Sequence, residues 1–141
     1  MRECYKTMKT RGRGVIVNVI GNAGNQAPAG YVAGVSADAM LEVLTRTLGG
    51  DSLDHGVRVV GISPGDLLNE RGIMFLRRQA EEELGDPARW SERLAELPGG
   101  RAGTSEEIAD AIVFLASPRS NYTSGVVLTV DGGVSARRAV M

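Results

Sequence analysis

At 141 residues with 43% hydrophobic side chains, the chain suits one domain with a core of ordinary proportions. Its 16 basic and 17 acidic side chains leave a formal charge of −1, which argues against a nucleic-acid arm or a polybasic membrane patch. Cys4 is the only cysteine and His55 the only histidine, so an intrachain disulfide and a thiol-ligated zinc site are excluded and no metal centre is expected.

The first residues, MRECYKTMKTRGRG, are locally basic through Arg2, Lys6, Lys9, Arg11 and Arg13. Such a cluster is ordinarily a solvated helix face, with phosphate binding as the sharper alternative. There is no apolar signal core here and no apolar run near the length of a membrane span, so a soluble, cytoplasmic chain is expected. Residues 15–20, VIVNVI, are β-branched and apolar on nearly both faces, the pattern of a strand covered on both sides in a parallel sheet. Gly21 to Gly34 form a glycine-rich loop. From Val35 the apolar positions Val35, Ala39, Met40, Val43, Leu44 and Leu48 recur at helical spacing, and Gly49 and Gly50 close the pattern with a last turn reaching Leu53. VRVVGI at 57–62 predicts a second strand, broken by Ser63, Pro64 and Gly65.

Glu70 to Leu97 predicts two short helices split at 85–87, with Pro87 placed at a helix start. Thr104 and Glu107 in TSEE predict a capping box that opens a helix with the apolar face Ile108, Ala111, Ile112, Phe114 and Leu115. GVVLTV at 125–130 predicts the last strand. The order strand, helix, strand, helical insert, helix, strand points to an α/β fold, part of a doubly wound parallel sheet with flanking helices. Ligands in such sheets bind beyond the carboxyl ends of the strands, here the loops after Ile20, Ile62 and Val130.

Three stretches together resemble the C-terminal portion of the short-chain dehydrogenase/reductase family, a Rossmann-type fold. GRGVIVNVIGNAG is similar to that family's strand and loop bearing the catalytic serine. GVRVVGISPGDLLN is similar to its strand and cofactor loop, and GRAGTSEEIADAIVFLASPRSNYTSGVVLTVDGG to its closing helix and strand. The resemblance runs from about Arg13 to Gly133. It implies NAD- or NADP-dependent oxidation of an alcohol or reduction of a carbonyl. In the family a serine positions the carbonyl oxygen, and a tyrosine four residues before a lysine exchanges the proton. The lysine holds the nicotinamide ribose and lowers the phenol's pKa toward working pH.

Aligned through the helix, the tyrosine position holds Gly34 and the lysine position Asp38. The loop puts Gly21 at the serine position, thirteen residues before Gly34, which is the family's spacing. The resemblance therefore implies a degenerate active site and an impaired enzyme. A glycine cannot donate a proton, and a carboxylate raises a neighbouring phenol's pKa where a lysine lowers it. Tyr31 is the candidate catalytic substitute, able to swing into the space left at Gly34, against the plain reading of a half-buried packing tyrosine. Ser36 and Asn22 have weaker claims. The cofactor loop is better kept: Pro64 and Gly65 match the family's Pro-Gly, Asn69 stands for its threonine, and Asp38 is a further candidate for ribose hydroxyls. His55 and Trp90 lie outside every motif, His55 in a turn expected to be solvated.

The family's glycine-rich dinucleotide turn has no counterpart in residues 1–14. Residues 1–141 are accordingly expected to be a partial domain lacking the N-terminal dinucleotide-binding half. The bare edge of VIVNVI predicts a homo-oligomer, formed through the helices flanking residues 15–20 and the C-terminal strand, or a marginally stable chain. The alternative to an oxidoreductase is a non-catalytic Rossmann-type module acting through subunit association, or a truncated chain with no independent role. The insert at 70–97 corresponds to the family's substrate lid, where Met74, Phe75, Leu76 and Trp90 either cover an apolar substrate or simply pack.

Overall fold

The computed structural model describes residues 1–22 and 29–137. The middle of the glycine-rich loop, residues 23–28, lies outside them. The chain divides into two compact units, the first made of Met1–Pro64 with Ala109–Thr129 and the second of Gly65–Ile108 with the chain from Val130 onward.

The first unit opens with α1 (Arg2–Arg11), which buries none of its residues and ends at Gly12 in the left-handed conformation that glycine adopts without strain. The basic cluster is thus carried largely on an exposed helix. β1 (Gly14–Val19) follows and pairs in parallel with β2 (Val57–Pro64), from Gly14 opposite Val57 to Val19 opposite Ile62. Strand order is β1-β2-β3, with β3 at Val127–Val130. Gly125 N donates to Val59 O and Gly61 N to Val126 O, so β2 and β3 ascend together and this pairing is parallel as well. β2 is the centre of the core. Val57, Val59, Val60 and Ile62 are fully buried, each contributing about 1.5–3 kcal/mol by area.

α2 (Val32–Gly50) crosses from β1 to β2. A polar tie anchors it: Asn18 Nδ2 donates to Thr45 Oγ1 at 2.8 Å, and that hydroxyl donates to Leu41 O at 2.7 Å. At the far side of β2, Arg58 donates from Nη1 to Leu115 O and from Nη2 to Ser117 O, closing the end of α4 (Ser105–Ala116). These are the orphan carbonyls every helix leaves at its C-terminus.

The second unit contains α3 (Glu70–Leu84), packed against a run of 3-10 turns over Pro87–Glu96. Asn69 caps α3, its side-chain oxygen accepting from Gly72 N at 2.8 Å. Asp86 accepts from Ala88 N beside Pro87. The capping box is formed as its sequence predicts, with Thr104 N donating to Glu107 Oε2 at 2.9 Å and Glu107 N to Thr104 Oγ1 at 3.2 Å.

Several expectations shift. β1 is half-buried along most of its length and Val19 is 58% exposed, so the strand is not covered on both sides. α2 begins at Val32, three residues before the apolar repeat. The second insert helix is 3-10 rather than α, in a short segment bounded by Pro87 and Pro98. β3 starts at Val127 because Gly125 sits at φ +69°, outside strand conformation. Phe114 is exposed, since it points about 100° away from Leu115 on the helix. His55 is half-buried in the 3-10 turn Ser52–His55.

Candidate active site

In the first unit the chain leaves β1, Ile20 N still donates to Ile62 O, and Gly21 comes next. Gly21 N donates to Asp38 Oδ1 at 3.0 Å. A Cβ added at Gly21 would fall on that carboxylate, 3.0 Å from Cγ and 3.1 Å from Oδ1. Asp38, one turn beyond Gly34 on α2, therefore fills the volume in which a serine side chain would stand.

The same exchange occurs at the tyrosine position. Tyr31 precedes α2 as its N-cap residue and folds its ring over Gly34. A Cβ added at Gly34 would meet the ring carbons, with the phenol oxygen 2.6 Å away. Four sequence-predicted positions are thus brought into two contacts, Gly21 with Asp38 and Gly34 with Tyr31. Ser36 is exposed on α2, and Asn22 is half-buried with an interaction of its own.

The arrangement has definite chemical limits. Neither glycine presents a side chain to polarise a carbonyl. Asp38 Oδ1 is taken by the Gly21 amide, which leaves Oδ2 as an acceptor suited to hydroxyl donors. No cationic side chain replaces the lysine at position 38 itself.

Pro64 closes β2 at the end of the first unit, half-buried. Gly65 opens the second, where its N donates to Val130 O at 3.0 Å. A Cβ on Gly65 would come within 2.8 Å of both Cα and Cβ of Asp131, so packing against Asp131 already requires glycine there. Asn69 Oδ1 is engaged in capping α3, which leaves its amide N–H groups as donors. Leu68 N donates to Gly103 O and Gly103 N to Asp66 O, fixing the loop between Gly65 and Asn69.

The second unit also holds a cleft of about 440 Å³ that the sequence did not reveal, lined by Asp66, Arg101, Glu107 and Asp131 among others. Arg101 grips Glu107 with two bonds of 2.9 and 2.7 Å. That pair, with the Thr104 amide, holds the Glu107 carboxyl down at about 2. Partial burial pushes the Asp66 carboxyl up from its ordinary value. The only sequence signal for Asp66 was its place directly after the Pro-Gly pair. In the insert, Leu76 and Ala80 are buried while Met74 is exposed and Phe75 lies under the Arg71 guanidinium at 5.5 Å. Among the described residues no three His, Cys, Asp or Glu side chains stand together as a metal group, and no helix is long and apolar enough to cross a membrane.

A family profile described as Enoyl-(Acyl carrier protein) reductase matches residues 1–135. A solved structure named as a short chain dehydrogenase/reductase family protein superposes with a TM-score of 0.74 at 38% identity, over 94% of this chain and 50% of that one. The chain belongs to the short-chain dehydrogenase/reductase family. Within this family, the Inactive 2-(S)-hydroxypropyl-CoM dehydrogenase 2 of Xanthobacter autotrophicus is 37% identical, covering 92% of this chain and 54% of the relative. Galactitol 2-dehydrogenase (L-tagatose-forming) of Cereibacter sphaeroides is also 37% identical, over 91% and 48%. The structure of NAD+-bound xylitol dehydrogenase matches with a TM-score of 0.83 at 27% identity, over 94% and 53%. The chain spans about half the length of the curated relatives it matches.

Proposed function

We propose that this chain is a short-chain dehydrogenase/reductase, NAD(P)-dependent by descent and acting on alcohol or carbonyl groups, whose own proton-transfer machinery is impaired. The observation that carries the reading is the Asp38 carboxylate standing where the side chain of Gly21 would be. Tyr31 over Gly34 supports it, and so does the name of the Xanthobacter relative, which is called inactive. NAD or NADP is the cofactor by family resemblance, and residues 1–141 by themselves are expected to bind it weakly, since the family's dinucleotide turn has no counterpart in residues 1–14. Within the second unit, Asn69 would offer its amide N–H groups to the cofactor and Gly65 would shape the backbone approach. When bound, that cofactor supplies hydride chemistry. Tyr31 is the one phenol next to the vacated position and the residue through which a relocated proton transfer would run. The domain is read as the carboxyl-side half of the family fold.

The test is oxidation of secondary alcohols and polyols with NAD+ or NADP+, comparing the chain with the triple variant Gly21→Ser, Gly34→Tyr, Asp38→Lys. No turnover by the unaltered chain is the expected result, and turnover appearing in the variant would assign the loss to these three positions. Turnover by the unaltered chain that disappears in Tyr31→Phe would overturn the loss and assign proton transfer to Tyr31.

A second reading, subunit association without catalysis, is favoured by the apolar outer face of α2, where Met40 is 61% and Val43 64% exposed. The homo-oligomer would use α1 and α2 beside β1, and the β3 region, where Val126 and Leu128 are exposed. Sedimentation of a stable monomer with a cooperative thermal transition would count against it.

A further inference from the structure

The end of the first unit where β1 and β2 begin carries an open cleft of about 590 Å³. Three arginines line it, Arg11, Arg13 and Arg58, and no Asp or Glu does. Its remaining wall is mostly apolar, with Met8, Val15, Leu53, Ala116 and Pro118. The convergence follows from the fold. Gly12 ends α1 in the left-handed conformation, Gly56 is left-handed too, and a Cβ on Gly56 would strike Gly12 O. The two turns therefore pack backbone to backbone. The parallel register then sets Val15, two residues after Arg13, beside Arg58.

The arginines of this cleft differ from five others in the chain. Arg46, Arg78, Arg89, Arg93 and Arg101 each pair with a glutamate. Among the described residues Arg11, Arg13 and Arg58 have no carboxylate partner, although acids outnumber bases along the whole chain. Arg58 is only 5% exposed, and its two recorded bonds go to the carbonyls of Leu115 and Ser117. The negative end of α4 balances about half a charge. Close to two and a half positive charges remain by the same count, facing a partly apolar space. Guanidinium groups bind phosphate oxygens in pairs, and low-dielectric walls strengthen the attraction.

We propose that this cleft binds an organic phosphate, with the phosphate on Arg11, Arg13 and Arg58 and a small apolar body against Met8, Val15 and Leu53. A phosphomonoester suits it better than a carboxylate because its charge at neutral pH is nearer two than one. The cleft is also larger than a bare phosphate needs, so the apolar body contributes by burial.

The test is calorimetric titration of the full chain at low salt with hexyl phosphate, inorganic phosphate, hexanoate and hexylammonium. Hexyl phosphate is expected to bind at least about tenfold more tightly than inorganic phosphate or hexanoate, with no heat from hexylammonium. The variant Arg11→Gln/Arg13→Gln, both exposed positions on which folding does not rest, should lose about tenfold or more while its circular dichroism is unchanged. Raising the salt should weaken binding of hexyl phosphate. Undiminished binding by that variant, equal affinity for hexylammonium, or no heat with hexyl phosphate from a folded chain would each overturn the proposal. Arg58 is left intact because its bonds to α4 make an unfolded variant uninformative.

Discussion

The carboxylate of Asp38 accepts the amide N–H of Gly21 at 3.0 Å, from within the volume a side chain at Gly21 would need. Two positions that resemblance assigns to serine and lysine are therefore one interaction in this protein. Each explains the other's residue type, since a serine here would collide with the aspartate. Substitution at Gly21 is expected to couple to substitution at Asp38. Gly21→Ala should cost about 1–3 kcal/mol in the native background, the usual range for overpacking. In an Asp38→Ser background the cost should fall by about 1 kcal/mol or more, as contacting pairs do in double-mutant cycles. Urea unfolding of the four chains measures it, and strict additivity would contradict the contact.

Gly34 meets only the far end of a side chain, the Tyr31 ring, which can rotate away. Gly34→Ala should displace that ring and gain about 1 kcal/mol of helix propensity, leaving stability within about 1 kcal/mol of the parent. The Tyr31 ring resonances should move in the NMR spectrum. A loss of about 3 kcal/mol with the ring unmoved would show that Tyr31 is fixed in place.

Gly49 and Gly50 are neighbours at the end of α2 with opposite expectations. A Cβ on Gly49 would meet Gly125 N and Cα, and Val59 O at 2.8 Å, all backbone atoms that cannot rotate aside. Gly49→Ala should cost about 3 kcal/mol or more. A Cβ on Gly50 meets nothing within 4 Å, so Gly50→Ala should stabilise by up to about 1 kcal/mol. Thermal unfolding of the two variants distinguishes them, and similar melting temperatures would contradict the close approach of Gly125.

Glu107 and Asp66 line one cleft and shift in opposite directions. Glu107 falls from 4.5 to about 2, so its stabilising pair is complete above the upper value and is lost as pH falls through the lower. Glu107→Gln should therefore lower the melting temperature at neutral pH, with the difference from the parent vanishing toward pH 2. Asp66 is raised above 3.8, so its charged form is penalised in the fold at neutral pH and the penalty disappears below that value. Asp66→Asn should raise the melting temperature at neutral pH and leave it unchanged at about pH 3. Melting curves from pH 2 to 8 separate the two signs, and parallel profiles would contradict both assignments.

Much of the fold was legible because its signals are local. The apolar run at 57–62 marks a strand, which the structure makes the buried centre of the sheet. The spacing of Thr104 and Glu107 marked a helix start that the structure builds with two reciprocal bonds. Phe114 lies outside the buried stripe because its burial depends on which face of α4 meets the sheet, and apolar spacing leaves that angle uncertain by a residue. The glycines at 21 and 34 were visible as losses of chemistry. Tyr31, three residues before Gly34, is legible as a candidate for that space, whereas Asp38 at Gly21 is not, because the contact comes from seventeen positions away in the chain.

The sequence by itself determined the class of fold, the order of its elements and the absence of serine, tyrosine and lysine at positions 21, 34 and 38, since these depend on local periodicity and residue identity. Only the tertiary structure decided what occupies the emptied positions and where charge is left unpaired. Arg11, Arg13 and Arg58 lie up to 47 positions apart and share a cleft only because parallel pairing of β1 with β2 brings their strand starts together. Contacts of that kind arise from the register between distant segments, and no single segment encodes a register alone.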